Sequence, residues 1–472
     1  MARVNLPYGI DNFEKVRESN CYYIDKTEFI RELLDRTFDV NLITRPRRFG
    51  KTLTMSMLAE FFDIRKDSRK LFEGLEIAKD TAFCSEWMNQ WPVLFLTLKD
   101  VDGSSYQDAY DLLQYIISVL CIEHNDPALF LQVHDIPILI DEVQYAPELF
   151  SYIKIAIDNG VAPGSFWLTG SQAFKMMELA QESLAGRVAI LHMPGLSQHE
   201  IYGTGQNTPF TVDLTALKAR KSIGTPVNMD GIYERIWKGS LPGYVSGKFT
   251  DRNVFYSSYL QTYIDRDVSE LVTLVDKLQF QDFIRAAACR IGQMLNIHDI
   301  AQDVGVSDDT ARRWLQVLEK SDIIFYLRPY SNNLLKRTIK TPKMYFFDTG
   351  LVSYLTRYTS PEILQNGAIN GAILENYVVS EIIKTYHNAA QDCLLWYYRD
   401  KSSNEIDMVI ENNGQLHPLE IKRSVNPGSE LIGAFSVLDK GSVPRGKGAL
   451  ICMRPELSAI NADNYIVPIW MI

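Results

Sequence analysis

Short apolar segments alternate with helix-like segments over the first 170 residues, and this alternation constrains the fold more than any other feature. The apolar segments span residues 39–44, 93–98, 136–140 and 165–169. Runs of this length without an alternating polar pattern are typical of strands that are buried on both faces, as in parallel sheets. Because helical segments separate them, we expect the chain to begin with an α/β domain.

The composition is that of a large globular protein and excludes several other classes. The chain has 472 residues, of which 46% are hydrophobic and 22% charged, and this length predicts about three domains. No apolar run reaches the roughly 18–20 residues of a membrane helix, and the first residues contain no apolar signal segment. The six cysteines form no Cys-x-x-Cys pair, which argues against a disulfide framework or a zinc site. We therefore expect a cytoplasmic protein without membrane association.

A phosphate-binding loop is predicted after the first strand. Gly50-Lys51-Thr52 precedes a helix predicted over residues 53–62 and forms the end of the pattern Gly-x-x-x-x-Gly-Lys-[Ser/Thr]. Lys51 would reach the β- and γ-phosphates, and the Thr52 hydroxyl would bind Mg²⁺. The loop residues that would surround the phosphates are Arg47, Arg48, Phe49 and Gly50. Because Arg45 replaces the first glycine, the alternative is a chance Gly-Lys-Thr in a basic loop.

A pair of acids supplies the second half of this site. The apolar segment 136–140 ends in Asp141 and Glu142. At the carboxyl end of a strand, Asp141 can hold Mg²⁺ through water, and Glu142 can polarise the attacking water as the catalytic residue. A surface acid pair is the alternative for this motif alone. The combination with Lys51 and Thr52 predicts binding and hydrolysis of ATP.

Two later residues are candidates for contact with the γ-phosphate. Ser171 follows the next strand, beside the same site, and would act as a phosphate sensor. Arg187 would act as a transition-state cation within its own chain or across the interface of a homo-oligomer. The alternative for Arg187 is an ordinary surface arginine.

These motifs resemble those of a prokaryotic family of AAA-type ATPases, in which a glycine-poor P-loop is usual. The matching segments are residues 45–52, 140–144, 168–171, 183–187, 263–268 and 347–351. Members of this family carry a C-terminal domain of unknown function that is similar to PD-(D/E)XK nucleases. Residues 1–123 look more like a sister AAA-ATPase-like family, on the segments 6–10 and 23–27. The change of resemblance predicts a seam near residues 124–135.

The segment 296–320 has the spacing of a helix-turn-helix. Gly305 is the predicted turn, and the apolar segments 323–327 and 344–347 would form the strands of a wing. The chain has a net charge of −10, so DNA binding requires a local basic patch. Five basic residues and no acid occur between the wing strands: Arg328, Lys336, Arg337, Lys340 and Lys343. They predict contact with DNA phosphates. The alternative is an interdomain strut, since acids at the start of the second helix oppose its arginines.

Residues 405–422 predict a β-hairpin that carries acidic side chains. Asn413-Gly414 is a strong signal for a two-residue turn, and such a turn places Asp407 directly opposite Glu420. Like charges in this position are destabilising, and a Mg²⁺ or Mn²⁺ ion between them would remove the repulsion. Lys422, on the same face as Glu420 and opposite Glu405, could orient or deprotonate an attacking water.

A third acid precedes the hairpin. Glu375 lies on the apolar face of a helix predicted over residues 369–386, where an unpaired carboxylate is costly and therefore a functional candidate. A helix glutamate, a strand aspartate and a strand Glu-x-Lys resemble the nuclease arrangement. The resemblance implies that Glu375, Asp407 and Glu420 are metal ligands and that Lys422 is a catalytic lysine. The alternative is a degenerate nuclease fold with a salt-bridged hairpin.

We therefore predict an α/β chain with four segments. They are a P-loop AAA-type ATPase core with a parallel sheet (1–202), a linker and helical lid (203–290), a winged-helix-like domain (291–360) and a restriction-endonuclease-like domain (361–472). The predicted function is an ATPase coupled to a DNA-binding winged helix and a metal-dependent nuclease-like domain. The alternative is an ATP-dependent switch whose nuclease-like domain only binds a partner.

Overall fold

The chain forms two compact units, and each has its own β-sheet. One unit contains residues 1–193 and 246–248, and the other contains residues 194–245 and 249–472. The computed structural model describes residues 10–19, 21–35, 40–44, 51–91, 93–97, 136–143, 146–170, 183–204, 208–263, 276–331, 341–392 and 394–472. Within these ranges, no helix combines the length and the apolar character needed to cross a membrane.

The sheet of the first unit is parallel. Its strands are β1 (Val40–Thr44), β2 (Leu94–Thr97), β3 (Ile138–Asp141), β4 (Phe166–Gly170) and β5 (Val188–His192). They are arranged in the order β2-β3-β4-β1-β5, with parallel pairing throughout. The predicted parallel α/β fold is confirmed, and the four predicted strands lie within two residues of their expected positions. Because the strands are parallel, the carboxyl ends of β1, β3 and β4 meet at one edge.

The helix that follows the predicted phosphate loop carries much of the core of this unit. Helix α3 begins at Lys51, two residues before the predicted start, and its Met55, Leu58 and Phe61 are fully buried. The ring of Phe61 packs edge-on against that of Phe72, at 5.3 Å between ring centroids. Among the described residues of the unit, the α-helices are α1 (Phe13–Glu18), α2 (Glu28–Asp35), α3 (Lys51–Phe62), α4 (Arg69–Phe72), α5 (Thr81–Trp87) and α6 (Leu149–Asp158). A helix packed on the sheet in this way fixes the position of its own N-terminus.

The second unit contains a mixed sheet with eight strands among the described residues. They are β6 (Ile324–Pro329), β7 (Lys343–Phe346), β8 (Leu395–Arg399), β9 (Glu405–Asn412), β10 (Gln415–Lys422), β11 (Gly448–Cys452), β12 (Ser458–Ala459) and β13 (Asn464–Pro468). Their order is β12-β13-β11-β10-β9-β8-β6-β7. The two predicted wing strands pair with each other, and β6 also pairs in parallel with β8. The domain boundaries remain predictions, but strands from both sides of residue 360 share this sheet.

The predicted helix-turn-helix is confirmed as local structure. Helix α13 ends at Gly305, whose φ of +73° is the left-handed conformation that glycine adopts readily. The side chains of Asn296 and Ser307 cap the two helices by accepting backbone N–H groups. In the part of this unit that the structure describes, the α-helices are α7 (Gln198–Tyr202), α8 (Leu214–Ile223), α9 (Met229–Lys238), α10 (Pro242–Val245), α11 (Arg252–Tyr263), α12 (Asp276–Ala288), α13 (Ile297–Val304), α14 (Asp308–Lys320), α15 (Thr349–Leu355), α16 (Pro361–Gln365) and α17 (Asn370–Asn388).

The motif at residues 347–351 has a structural role in this unit. Buried Asp348 accepts hydrogen bonds from the Tyr256 hydroxyl (2.9 Å), the Leu351 N–H (2.5 Å) and both the N–H (2.5 Å) and the hydroxyl (3.1 Å) of Ser240. A Cβ on Gly350 would collide with the Tyr256 hydroxyl. The carboxylate therefore joins three separate segments of the chain, and the glycine allows them to approach closely.

We expect Asp348→Ala to lower the free energy of unfolding by about 3 kcal/mol, because four buried donors lose their acceptor. Urea unfolding followed by tryptophan fluorescence measures this difference. The control is Asp282→Ala, which removes an exposed ion pair with Arg285 and should change stability by less than about 0.5 kcal/mol. Equal stability of Asp348→Ala and wild type would contradict the structural role.

Candidate functional sites

The two halves of the predicted nucleotide site meet at the carboxyl edge of the parallel sheet. The Thr52 hydroxyl donates a hydrogen bond to Asp141 Oδ2 at 3.1 Å, across 89 residues of sequence. The Lys51 Nζ lies 3.9 Å from Glu142 Oε1, and the Lys51 side chain is only 5% exposed. The structure therefore brings together four of the residues that the sequence analysis selected.

Strand β4 separates the two halves of the site and contributes a residue of its own. Because β4 lies between β1 and β3, Thr169 comes beside Asp141, and its hydroxyl donates a hydrogen bond to Asp141 Oδ1. The N–H of Glu142 in turn points to the Thr169 hydroxyl, at 3.4 Å. Sequence reasoning missed Thr169 as a site residue, although its position near the end of an apolar strand offered a signal.

The backbone at Glu142 is unusual. Its φ of +55° lies in the left-handed region, which few non-glycine residues adopt and which is frequent at functional sites. With this conformation the chain leaves the direction of β3 directly after Asp141. The Glu142 carboxylate then lies near Lys51.

The donor set at this edge fits a magnesium ion. Burial raises the pKa of Asp141 above its ordinary value, although the hydrogen bond from Thr169 acts in the opposite direction. A hydroxyl and a carboxylate side by side are ligands that Mg²⁺ prefers. A cation at Thr52 and Asp141 would also offset the cost of burying the carboxylate.

Of the remaining residues of the predicted nucleotide site, Arg187 lies in the described part of the chain. Arg187 forms an ion pair with Asp158 at 2.7 Å, and its side chain is 35% exposed, so its role at the phosphate stays a prediction. The residues that lie outside the described part of the chain are Arg47, Arg48, Phe49, Gly50 and Ser171.

The predicted C-terminal hairpin is confirmed with its register. Strands β9 and β10 pair from Gln415↔Asn412 to Leu419↔Met408, which is the predicted register, and Asp407 and Glu420 directly follow the last pair. Asn413 and Gly414 both have positive φ angles, 49° and 70°, as a tight hairpin turn requires. Asp407 and Glu420 are each only 7% exposed.

Lys422 bridges the two opposed carboxylates. Its Nζ lies 2.5 Å from Glu420 Oε1 and 3.4 Å from Asp407 Oδ2. The N–H of Ile421 also donates to Asp407 Oδ2, at 2.8 Å. The second oxygen of Glu420, Oε2, is buried and has no hydrogen-bond partner among the described residues. One carboxylate oxygen therefore remains without compensation, which is unusual for a buried polar atom.

Glu375 is held by strand β7 and not by the hairpin. Its Oε1 accepts a hydrogen bond from the Tyr345 hydroxyl at 2.6 Å and lies 3.2 Å from Lys343 Nζ. The same ammonium group lies 2.7 Å from Glu405 Oε1. Lys343 is therefore buried in this cluster, 4% exposed, and its predicted place in the surface basic patch was wrong. Sequence reasoning also missed Tyr345. The only sequence signal for Lys343 and Tyr345 was that a lysine stands at the start of an apolar strand.

Glu405, which the hairpin register was expected to place opposite Lys422, forms ion pairs with Lys343 and, at 3.7 Å, with Arg399. Of the predicted basic patch, Arg328 is exposed, and Lys336, Arg337 and Lys340 lie outside the described residues. The structural support for a phosphate-binding wing is therefore limited to Arg328.

We call Glu375, Glu405, Asp407 and Glu420 the acidic cluster, and its electrostatics favour a cation. Burial and the charge of Asp407 raise the pKa of Glu420 to about 7, and the same two causes raise the pKa of Glu375. Among the described residues, no three Asp, Glu, His or Cys side chains are grouped closely enough to hold a metal together. Asp407 and Glu420, whose Oε2 has no hydrogen-bond partner among the described residues, could nevertheless hold one ion together. Mg²⁺ is commonly bound through one or two carboxylates. The ligand role of Glu375 stays a prediction.

The raised pKa of Glu420 predicts a pH-dependent stability. Between its ordinary value of 4.5 and about 7, the folded state binds more protons than the unfolded state, so stability falls as pH rises through this window. We expect Glu420→Gln to be more stable than wild type at about pH 8, by roughly 3 kcal/mol, and to show no such gain at about pH 4.5.

Thermal unfolding of metal-free protein at both pH values measures this difference. Glu430→Gln, an exposed position, is the control and should follow the wild type. A gain for Glu420→Gln that is the same at both pH values would contradict the assignment.

Three segments of the chain match known family descriptions. Residues 7–144 match a predicted AAA-ATPase family, residues 229–362 match a domain of unknown function (DUF8612), and residues 370–472 match another (DUF4143). The first match supports a P-loop ATPase domain that uses ATP and Mg²⁺. This match confirms the resemblance of the N-terminal segment to an AAA-ATPase-like family. The matched segment extends to residue 144. The predicted seam at residues 124–135 lies outside the described residues.

Several uncharacterised proteins are similar to this chain. Proteins of Mycobacterium tuberculosis and Mycobacterium bovis are each 27% identical over 304 residues, which cover 64% of this chain and 62% of theirs. A protein of Azotobacter chroococcum is 37% identical over 130 residues, 27% of this chain and 23% of its own. The chain thus spans about three fifths of the mycobacterial relatives' length.

Among solved structures, the RuvB Holliday junction branch migration motor of Thermotoga maritima is similar at 13% identity. The likeness covers 67% of this chain and 89% of that one. Its TM-score is 0.22, which is too low to support a shared fold.

Proposed function

We propose that this protein is an ATPase whose nucleotide site lies at the carboxyl edge of the parallel sheet. The observation that carries the proposal is the contact of Thr52 with Asp141, beside the pair of Lys51 and Glu142. Two motifs that are far apart in sequence thus provide a cation, a hydroxyl and two carboxylates in one place. The family match over residues 7–144 supports the same activity.

Each of the four side chains has a separate task in this proposal. Lys51 would leave Glu142 and bind the phosphates, and Thr52 and Asp141 would hold Mg²⁺. The ion would neutralise charge on the phosphate oxygens. Glu142 would then be available to orient and polarise the attacking water.

We expect Glu142→Gln to reduce ATP hydrolysis about 100-fold or more and to leave ATP binding nearly unchanged, because the amide cannot polarise water as a carboxylate does. Phosphate release and equilibrium binding of ATP measure the two effects. The matched control is Glu148→Gln, an exposed position in the same unit. Full hydrolysis by Glu142→Gln would show that another group activates the water.

A second activity, metal-dependent cleavage of a phosphodiester, is proposed for the acidic cluster. The unpartnered and buried Oε2 of Glu420, next to Asp407, favours it. Asp407 and Glu420 would hold one Mg²⁺ or Mn²⁺ ion, and Lys422 would stabilise charge on the phosphate or deprotonate water. The substrate would be DNA.

Support for DNA binding comes from the helix-turn-helix geometry of α13 and α14. The exposed face of α14 carries acids, Asp308 and Asp309, as well as Arg312 and Arg313, so its charge does not favour phosphates by itself. The alternative function is an ATP-dependent switch whose C-terminal part only binds a partner. The pairing of the acidic cluster with lysines is the observation that favours the switch.

A further inference from the structure

Strand β7 supplies the acidic cluster with a cation that the hairpin does not contain. The Lys343 ammonium lies 3.2 Å from Glu375 Oε1 and 2.7 Å from Glu405 Oε1. The Tyr345 hydroxyl, two residues further on the same strand, donates to the same Glu375 oxygen at 2.6 Å. The carboxylate of Glu375 is therefore fixed on the side of the cluster that faces β7.

The position of Lys343 makes it a strong internal counterion. Its side chain is 4% exposed, so water screens its charge little. Burial alone would lower the pKa of Lys343, but the charges of Glu375, Asp407 and Glu405 raise it above its ordinary value. The side chain is therefore an ammonium ion at any physiological pH.

The charges of the described residues around the cluster nearly balance. With all four carboxyl groups ionised, four carboxylates meet three cationic side chains, which leaves one net negative charge: Glu375, Glu405, Asp407 and Glu420 against Lys343, Lys422 and Arg399. One divalent cation reverses this balance to one positive charge, which a phosphodiester would neutralise. A second divalent cation would leave a strong excess of positive charge in a largely buried site.

We infer that Lys343 is a positioning residue that limits this site to a single divalent cation, because it holds Glu375 and Glu405 where a second cation would bind. The inference rests on the proposed metal-dependent activity of the acidic cluster. The single ion is bound by Asp407 and Glu420, whereas Glu375 is held by its contacts with Lys343 and Tyr345. A two-metal arrangement becomes accessible only when the ammonium group is removed.

Binding of Mn²⁺ to the full chain without nucleotide, followed by electron paramagnetic resonance, tests this inference. Asp407→Ala defines the background, so that any Mn²⁺ at the nucleotide site is subtracted. We expect wild type to bind one Mn²⁺ above this background. Lys343→Met should bind a second Mn²⁺, because a buried positive charge is lost and Glu375 and Glu405 lose the ammonium group that holds them. Lys440→Met, an exposed position in the same unit, should behave as wild type.

Glu375→Gln keeps the inference testable even when Lys343→Met fails to fold. If Lys343 and Tyr345 hold Glu375, this variant should bind the single Mn²⁺ within about threefold of the wild-type affinity. Loss of the ion in Glu375→Gln, or binding of only one ion by folded Lys343→Met, would overturn the inference. No difference between wild type and Asp407→Ala would instead refute the metal site itself.

Discussion

Replacing Lys51 by alanine is expected to weaken ATP binding at least 100-fold, because the variant loses one or two charge-assisted contacts with phosphate. Hydrolysis should fall to background, since Lys51 also compensates the charge that develops on the transferred phosphoryl group. Lys51 begins α3 and is buried at the edge of the sheet, beside Glu142. Calorimetric titration with ATP in the presence of Mg²⁺ measures the affinity.

Lys70→Ala is the matched control for this variant. Lys70 is an exposed lysine of the same unit, and its removal should leave the ATP affinity and the turnover unchanged. Folding of Lys51→Ala is checked by its unfolding curve. Unchanged ATP affinity in the folded variant would refute the assignment of the phosphate-binding loop.

The second large effect is expected in the acidic cluster. In the presence of Mn²⁺, we expect the wild-type protein to cleave DNA and Glu420→Ala to lose this cleavage by about 100-fold or more, because the variant loses an anionic ligand and the partner of Lys422. Linear, circular and branched DNA, each with and without ATP, are the substrates to compare. Glu430→Ala, at an exposed position, is the control.

The two outcomes of this assay lead to different functions. Cleavage that requires Glu420 would establish a nuclease, and the effect of ATP on its rate would show whether the ATPase regulates it. Absence of cleavage in wild type, together with intact ATP hydrolysis, would contradict the proposed second activity. The acidic cluster would then be a salt-bridged binding surface, as the switch function requires.

Features that depend on neighbouring residues could be predicted from the sequence. The hairpin register at Asp407 and Glu420 followed from the Asn413-Gly414 turn, because a two-residue turn determines which residues are opposite each other. Gly305 and Ser307 marked the turn and the cap of the helix-turn-helix for a similar local reason. The joint Lys51 and Asp141 motifs predicted a common site, because the carboxyl ends of parallel strands meet at one edge.

Features that depend on strand order could not be predicted in this way. Nothing in the sequence near Thr169 indicates that β4 lies between β1 and β3, and only this order brings its hydroxyl to Asp141. The same limitation applies to Lys343. Its basic neighbours in sequence suggested a surface patch, and its burial became evident only with its contacts to Glu375 and Glu405.

The sequence by itself determined four strands of the parallel sheet, the turn and cap of the helix-turn-helix, the hairpin register and the presence of two chemically distinct acidic motifs. These follow from short-range geometry and from apolar patterning, which act within a few residues of chain. The tertiary structure alone decided which charges face each other: Thr169 with Asp141, and Lys343 with Glu375 and Glu405. Burial in a medium of low dielectric makes such pairings strong, and the residues that share a buried site are set by the order of strands in the sheet.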